Sequence, residues 1–271
     1  MKTQITPIRL KNMLVASFGN KKAQVSDAAI IQFTPEGVAV NCQLASDIYV
    51  LAKYNKSYFN EYQVPLTNEF LMITKALMDE IDTGYTAEKI NFETTDEHIV
   101  ISEPSEGRVR VQIEAVDKSK ITPFELVNTE VGIVPGLDGK KSSFIAQMLV
   151  STDKFMKVKA ENVTLVFDGT EFTLELTKDL SDRTQKVTIV RLLPDAKPFR
   201  LEFILATLQG ILSQFTGDVW LGINETGVCV SQKNADYSLT YLLGRLTEKQ
   251  AQQRAAEKAK KKTKPTEETT T

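Results

Sequence analysis

The sequence predicts an α+β fold made of two similar units in tandem, each running helix, hairpin, strand, helix, hairpin, strand. Three observations carry this reading. An apolar-alternating hairpin around a glycine turn occurs at Ala29–Phe33 / Val38–Val40 and recurs about 130 residues later at Val163–Phe167 / Phe172–Leu176, with Gly37 matched by Gly169. A helical stretch follows at a similar distance in each half, and a second hairpin with a last strand closes each half. Repetition of a whole unit marks a quasi-symmetric architecture, and runs of strands with helices laid on one face fit antiparallel sheets better than βαβ crossovers.

In chain order, the first expected helix is Ile8–Ser17, because Ile8, Leu10, Met13, Leu14 and Phe18 fall on one helical face. Its counterpart is Lys140–Met156, where Phe144, Ile145, Met148, Leu149, Thr152 and Phe155 keep the helical period. Thr34-Pro-Glu-Gly37, Phe167-Asp-Gly-Thr170 and Asn224-Glu-Thr-Gly227 are tight-turn sequences, since glycine tolerates positive φ and proline presets the first turn position. Strands Ile48–Lys53 and Lys186–Val190 follow the first hairpins, then helices Thr67–Ile81 and Phe199–Phe215. Hairpins Ile90–Glu93 / Ile99–Ser102 and Val219–Ile223 / Val228–Ser231 lead to the closing strands Arg108–Glu114 and Leu239–Leu243. Between the halves, Asp117–Glu130 has a polar start and a mid-stretch proline, which predict an extended connector. Its apolar residues Ile121, Phe124, Leu126 and Val127 either pin it to a sheet or line a groove for a partner.

A chain of 271 residues divides into two units of ordinary domain size, each able to bury a core. The expected boundaries are 1–116, a connector at 117–130, 131–247, and a tail at 248–271. That tail holds seven Lys/Arg, four Asp/Glu and no apolar residue but alanine, so it is expected to be disordered beyond a short frayed helix. Removing its net +3 from the whole-chain −2 leaves −5 on the remainder. Charged residues break every early apolar run and no membrane-length apolar stretch occurs, which predicts a soluble intracellular protein. Cys42 and Cys229 are isolated strand residues, which argues against a metal knuckle or a disulfide.

Local charge departs from this acidic balance. Residues 7–22 contain Arg9, Lys11, Lys21 and Lys22 with no acid, and residues 139–159 contain Lys140, Lys141, Lys154, Lys157 and Lys159 against Asp153 alone. Positive charge on equivalent helices of the repeat suits a surface facing a polyanion; ordinary solvated helix faces are the alternative. Catalytic chemistry finds little support. His98 follows Asp96-Glu97 at a turn with no nucleophile pattern, Gly136-Leu-Asp-Gly139 lacks phosphate-loop spacing, and Asp179 and Asp182 read as loop carboxylates. No enzyme activity, cofactor or metal is expected.

Three segments carry a resemblance. Asp27-Ala-Ala-Ile-Ile-Gln-Phe-Thr-Pro-Glu-Gly-Val-Ala-Val40, Ser57-Tyr-Phe-Asn-Glu-Tyr-Gln-Val64 and Ser238-Leu-Thr-Tyr-Leu-Leu-Gly-Arg-Leu246 resemble sliding DNA clamps of the proliferating-cell nuclear antigen (PCNA) type, most of all the archaeal branch, and the element order agrees over residues 1–246. The resemblance implies the DNA clamp fold and a homotrimeric ring with helices inside and sheets outside. It would encircle double-stranded DNA without base readout, through Arg9, Lys11, Lys21, Lys22, Lys140, Lys141, Lys154, Lys157 and Lys159. It further implies a groove for short peptides of DNA polymerase, clamp loader, flap endonuclease and ligase, formed by Gln43, Leu44, Ile48, Val50, Ile121, Phe124, Leu126, Val127, Tyr241, Leu242, Leu243, Gly244 and Arg245. Ring closure is expected between Arg108, Val109, Arg110, Val111 and Ile113 of one copy and Lys186, Val187 and Ile189 of the next. Gly244-Arg245 in place of the archaeal Ala-Pro-Arg, and Gln43 in place of methionine, imply a groove of altered shape. The lysine-rich tail is a further departure. A clamp subunit of a heterotrimer and a monomeric viral-type processivity factor share these features. The expected location is the archaeal cytoplasm, at the nucleoid, or the nucleus of a eukaryote.

Overall fold

The computed structural model describes residues 2–18, 28–45, 48–64, 69–74, 88–94, 98–103, 109–114, 133–135, 141–177 and 183–246. Strand β1 (Lys2–Ile5) leads into helix α1 (Pro7–Phe18), where proline occupies a first-turn position whose amide would have no helical acceptor. There follow β2 (Ala28–Thr34), β3 (Gly37–Ala45), β4 (Ile48–Asn55), a 3-10 turn at Lys56–Tyr58, β5 (Glu61–Tyr62), β6 (Glu69–Thr74), β7 (Ile90–Thr94), β8 (His98–Ser102) and β9 (Val109–Glu114). A small hairpin, β10 (Ile133–Pro135) and β11 (Lys141–Ser143), precedes the second unit. That unit contains β12 (Ala146–Ser151), α2 (Asp153–Lys157), β13 (Asn162–Phe167), β14 (Phe172–Thr177), β15 (Arg183–Val187) and β16 (Ile189–Leu192). It ends with β17 (Phe199–Ile204), α3 (Leu205–Leu212), β18 (Asp218–Ile223), β19 (Gly227–Lys233) and β20 (Tyr237–Gly244).

The duplication is written in the strand order. β5-β1-β7-β8-β9 has the same plan as β16-β12-β18-β19-β20, and β4-β3-β2-β6 the same plan as β15-β14-β13-β17. One further pairing joins the units: β4 runs antiparallel to β20, with Tyr49 opposite Leu242 and Val50 opposite Tyr241. Five strands of the second unit and four of the first thereby form one nine-stranded sheet. Buried side chains of both units merge into one core beneath it, and α1 sits over the seam, burying Leu10, Met13 and Leu14. The boundaries expected at 116, 130 and 247, and the connector itself, lie outside the described residues.

Three expected helices are corrected. Within Thr67–Ile81, Glu69–Thr74 is strand paired with β2, and the rest is not among the described residues. Lys140–Met156 resolves into β11, β12 and a helix of five residues, with Ala146, Met148 and Val150 buried in alternation. Phe199–Phe215 begins as β17, burying Phe199, Leu201 and Phe203, before α3 takes over. Positions four apart share a face in a helix and in a strand alike, so a short apolar run satisfies both templates. The expected strand Lys186–Val190 breaks at Thr188, where the chain passes from one sheet to the other. His98 opens β8 opposite Glu114 and is not a turn residue. Gly37 must be glycine, because at φ 146° a Cβ would lie 2.0 Å from the Tyr54 carbonyl oxygen.

No helix among the described residues is long and apolar enough to cross a membrane.

Candidate functional site

The helices lie on one side of the sheets and carry part of the expected cationic surface. On α1, Lys11 and Ile8 are exposed. Arg9 is held by its neighbours: its guanidinium donates to the carbonyls of Tyr58 (2.6 Å) and Ser57 (3.2 Å), lies 5.3 Å from the centre of the Tyr58 ring and comes within 4.0 Å of the Asp236 carboxylate. It ties α1 to the 3-10 turn and to the β19–β20 turn, a structural role beside the expected one. Burial raises the Tyr58 phenol above its ordinary range, and the Arg9 charge opposes this only in part. Lys154 and Lys157 are exposed on α2, and Lys159 just beyond it. Lys141 sits in β11 opposite Pro135 and is not helical. Lys21, Lys22 and Lys140 lie outside the described residues.

The described residues expected in the groove divide between the two faces of the sheet. Ile48, Val50, Tyr241 and Leu243 are buried on the helix-facing side and belong to the core. The Tyr241 hydroxyl donates to the Ala16 carbonyl at 2.7 Å and its ring packs 5.8 Å from that of Phe215. Strand side chains alternate, so Leu242 points the other way. There it joins Cys229, Tyr49, Leu51 and Phe144 in a second, smaller apolar cluster. The Phe144 ring lies on Gly222, where a Cβ would come within 2.5 Å of it. Burial pushes the Cys229 thiol up to about 12. Gln43 pairs with Tyr49, and Leu44 falls at the bulge before Ala45. Gly244 is buried opposite Gly227, and Arg245 is exposed. Ile121, Phe124, Leu126 and Val127 are not among the described residues. Beside the cluster the outer face sinks into a cavity of about 840 Å³ floored by Trp220. Trp220 is not among the expected site residues and Phe144 is expected only as part of a helix face; the signal for Trp220 is its position out of phase with the buried Val219 and Leu221.

Two strands end their sheets. β9 pairs only with β8 and β15 only with β14 among the described residues, although the strands in equivalent places, β20 and β4, pair with each other. The row Phe33, Val38, Tyr54 continues across the seam to Tyr237, whereas the matching row Phe167, Phe172, Val187 stops at an open edge. The row Met148, Leu221, Val230, Tyr241 likewise matches Thr3, Phe92, Ile101, Val111. Between two copies, the seam's register would set Val111 opposite Arg183. Val109, Arg110, Val111 and Ile113 therefore lie on one edge, and Lys186 and Val187 on the other. Ile189 belongs to β16, bonded to β12, and is removed from that edge. Arg108 is not among the described residues.

No protein-family model matches the chain, and no curated protein sequence matches it. Solved structures do. A complex of the C-terminal region of FEN-1 with A. fulgidus PCNA superposes with a TM-score of 0.72 at 14% identity, over 91% of this chain and 98% of that one. The chain has the sliding-clamp fold. The PCNA2–PCNA3 complex from Sulfolobus tokodaii matches the clamp fold at TM-score 0.67 and 11% identity, covering 90% and 99% of the two chains. PCNA from Entamoeba histolytica matches at 0.68 and 14%, covering 91% and 98%. At such identity the likeness concerns the fold, and side chains must be argued one by one.

Proposed function

We propose that this chain is a non-enzymatic sliding clamp whose copies close into a ring on duplex DNA and tether a DNA polymerase and other replication or repair enzymes. The observation that carries this is the pair of complementary open edges, β9 and β15, whose counterparts already pair inside the chain. Repeating that seam between copies satisfies both edges at once, and a constant rotation per chain closes into a ring; the expected product is a homotrimer. Lys154, Lys157 and Lys159, with Lys11, would meet phosphates inside the hole, where charge without base contact permits sliding. Short peptides of polymerase, clamp loader, flap endonuclease and ligase would dock on the outer cluster around Leu242 and Tyr49. The archaeal clamp bound to a FEN-1 segment supports peptide capture, and the PCNA2–PCNA3 complex supports assembly of clamp chains.

The deciding experiment is the solution mass of the wild type beside Val111→Pro and Gln185→Pro. Proline removes an amide from the ladder at each edge. A trimeric wild type with monomeric variants is expected; a folded wild type that stays monomeric at micromolar concentration would remove ring closure.

A further inference from the structure

The register places Arg191, Leu149, Trp220, Ser231, Thr240 and Leu51 side by side across six strands of the outer face. The large cavity lies over this row. Its lining sets Leu51, Phe144 and Trp220 among the polar Gln147, Ser231 and Thr240, and the Arg191 guanidinium carbon stands 6.0 Å from the centre of the Trp220 ring. Lys53 and Lys233 line its other end, and no carboxylate lines it among the described residues. On a body that is otherwise net acidic, this is a local reversal of charge. Phe144, shared with the Leu242 cluster, makes the cavity continuous with the peptide groove.

We propose that this basin is a second docking site, taking an acidic peptide segment anchored by one aromatic residue. The proposal rests on the clamp reading for its biological setting and on the basin alone for its chemistry. An aromatic anchor fits beside Trp220, where an offset ring pair gains beyond its buried area. Carboxylates flanking it would meet Arg191 at one end and Lys53 at the other, and like-charged peptides would be rejected. Single-stranded nucleic acid fits less well: it needs a row of stacking platforms, and this face offers one indole.

Trp220 is the only tryptophan of the chain, so its emission reports the basin directly. The probe is a short peptide with glutamates flanking one phenylalanine and no tyrosine or tryptophan, titrated into the full chain without DNA or polymerase. A saturable emission change is expected. It should be absent with the lysine-for-glutamate peptide, weaken in high salt, and weaken about tenfold in Arg191→Glu and in Lys53→Glu. Both substituted side chains are exposed, and an unchanged circular dichroism spectrum would certify the fold. No saturable change, or wild-type affinity in both variants, would overturn the proposal. So would tighter binding of oligothymidylate, or the same emission change on concentrating the protein alone. The clamp reading fails separately, on the solution mass.

Discussion

Tyr241 and Leu242 show how far one residue of phase can move a function. The run Tyr-Leu-Leu is apolar throughout, and the only local mark of its phase is the alternation before it, polar Ser238 and Thr240 against Leu239 and Tyr241. Partners distant in the chain, Val50 and Val230, hold that phase. Tyr241→Phe should therefore leave peptide capture intact and cost about 1 kcal/mol of stability in urea unfolding, through the lost hydroxyl bond to Ala16. Leu242→Asp should instead abolish capture of a peptide with a glutamine and two aromatic anchors in calorimetric titration, because a charge there breaks the outer cluster. Cys229 adds a pH prediction. Its folded-state pKa is raised, so the neutral thiol's contribution to stability is whole below the unfolded value near 8.5 and is lost as pH rises toward about 12. The melting temperature should fall across that alkaline window, and Cys229→Ala should flatten part of the slope.

At the level of elements, the hairpins, their turns and the closing strands were legible because period-two alternation between turn residues has few rivals. The strands leading into helices were not, since the alternation of Phe199–Ile204, with Arg200 and Glu202 between apolar residues, runs without a break into the apolar Leu205–Leu212. The basic character of α2 was legible, but Arg9 was not readable as a structural residue, because its partners Ser57, Tyr58 and Asp236 are far along the chain. Arg9→Ala should thus lower stability by about 1.5–3 kcal/mol in urea unfolding, the range for a hydrogen bond to a charged group, more than it lowers DNA affinity. Lys154→Glu with Lys157→Glu should do the reverse: clamp-stimulated DNA synthesis should drop and the melting curve should hold. Reversal of Lys89, which lies just before β7, should leave synthesis near wild type.

On the scale of the whole molecule, the repeat announced two units, yet nothing in it announced that they share a sheet. That follows from the seam, whose seven residue pairs run from Tyr237 opposite Tyr54 to Leu243 opposite Ile48. The seam has a consequence for chain continuity. Two halves held by a ladder of backbone bonds and a common core do not depend on the covalent link between them. A single proteolytic nick between Asp117 and Glu130 should therefore yield two fragments that co-elute at the native mass and part only in denaturant. Expressed separately, residues 1–116 would present the bare β4 edge and self-associate. Mixing them with residues 131–271 should restore one soluble complementing pair.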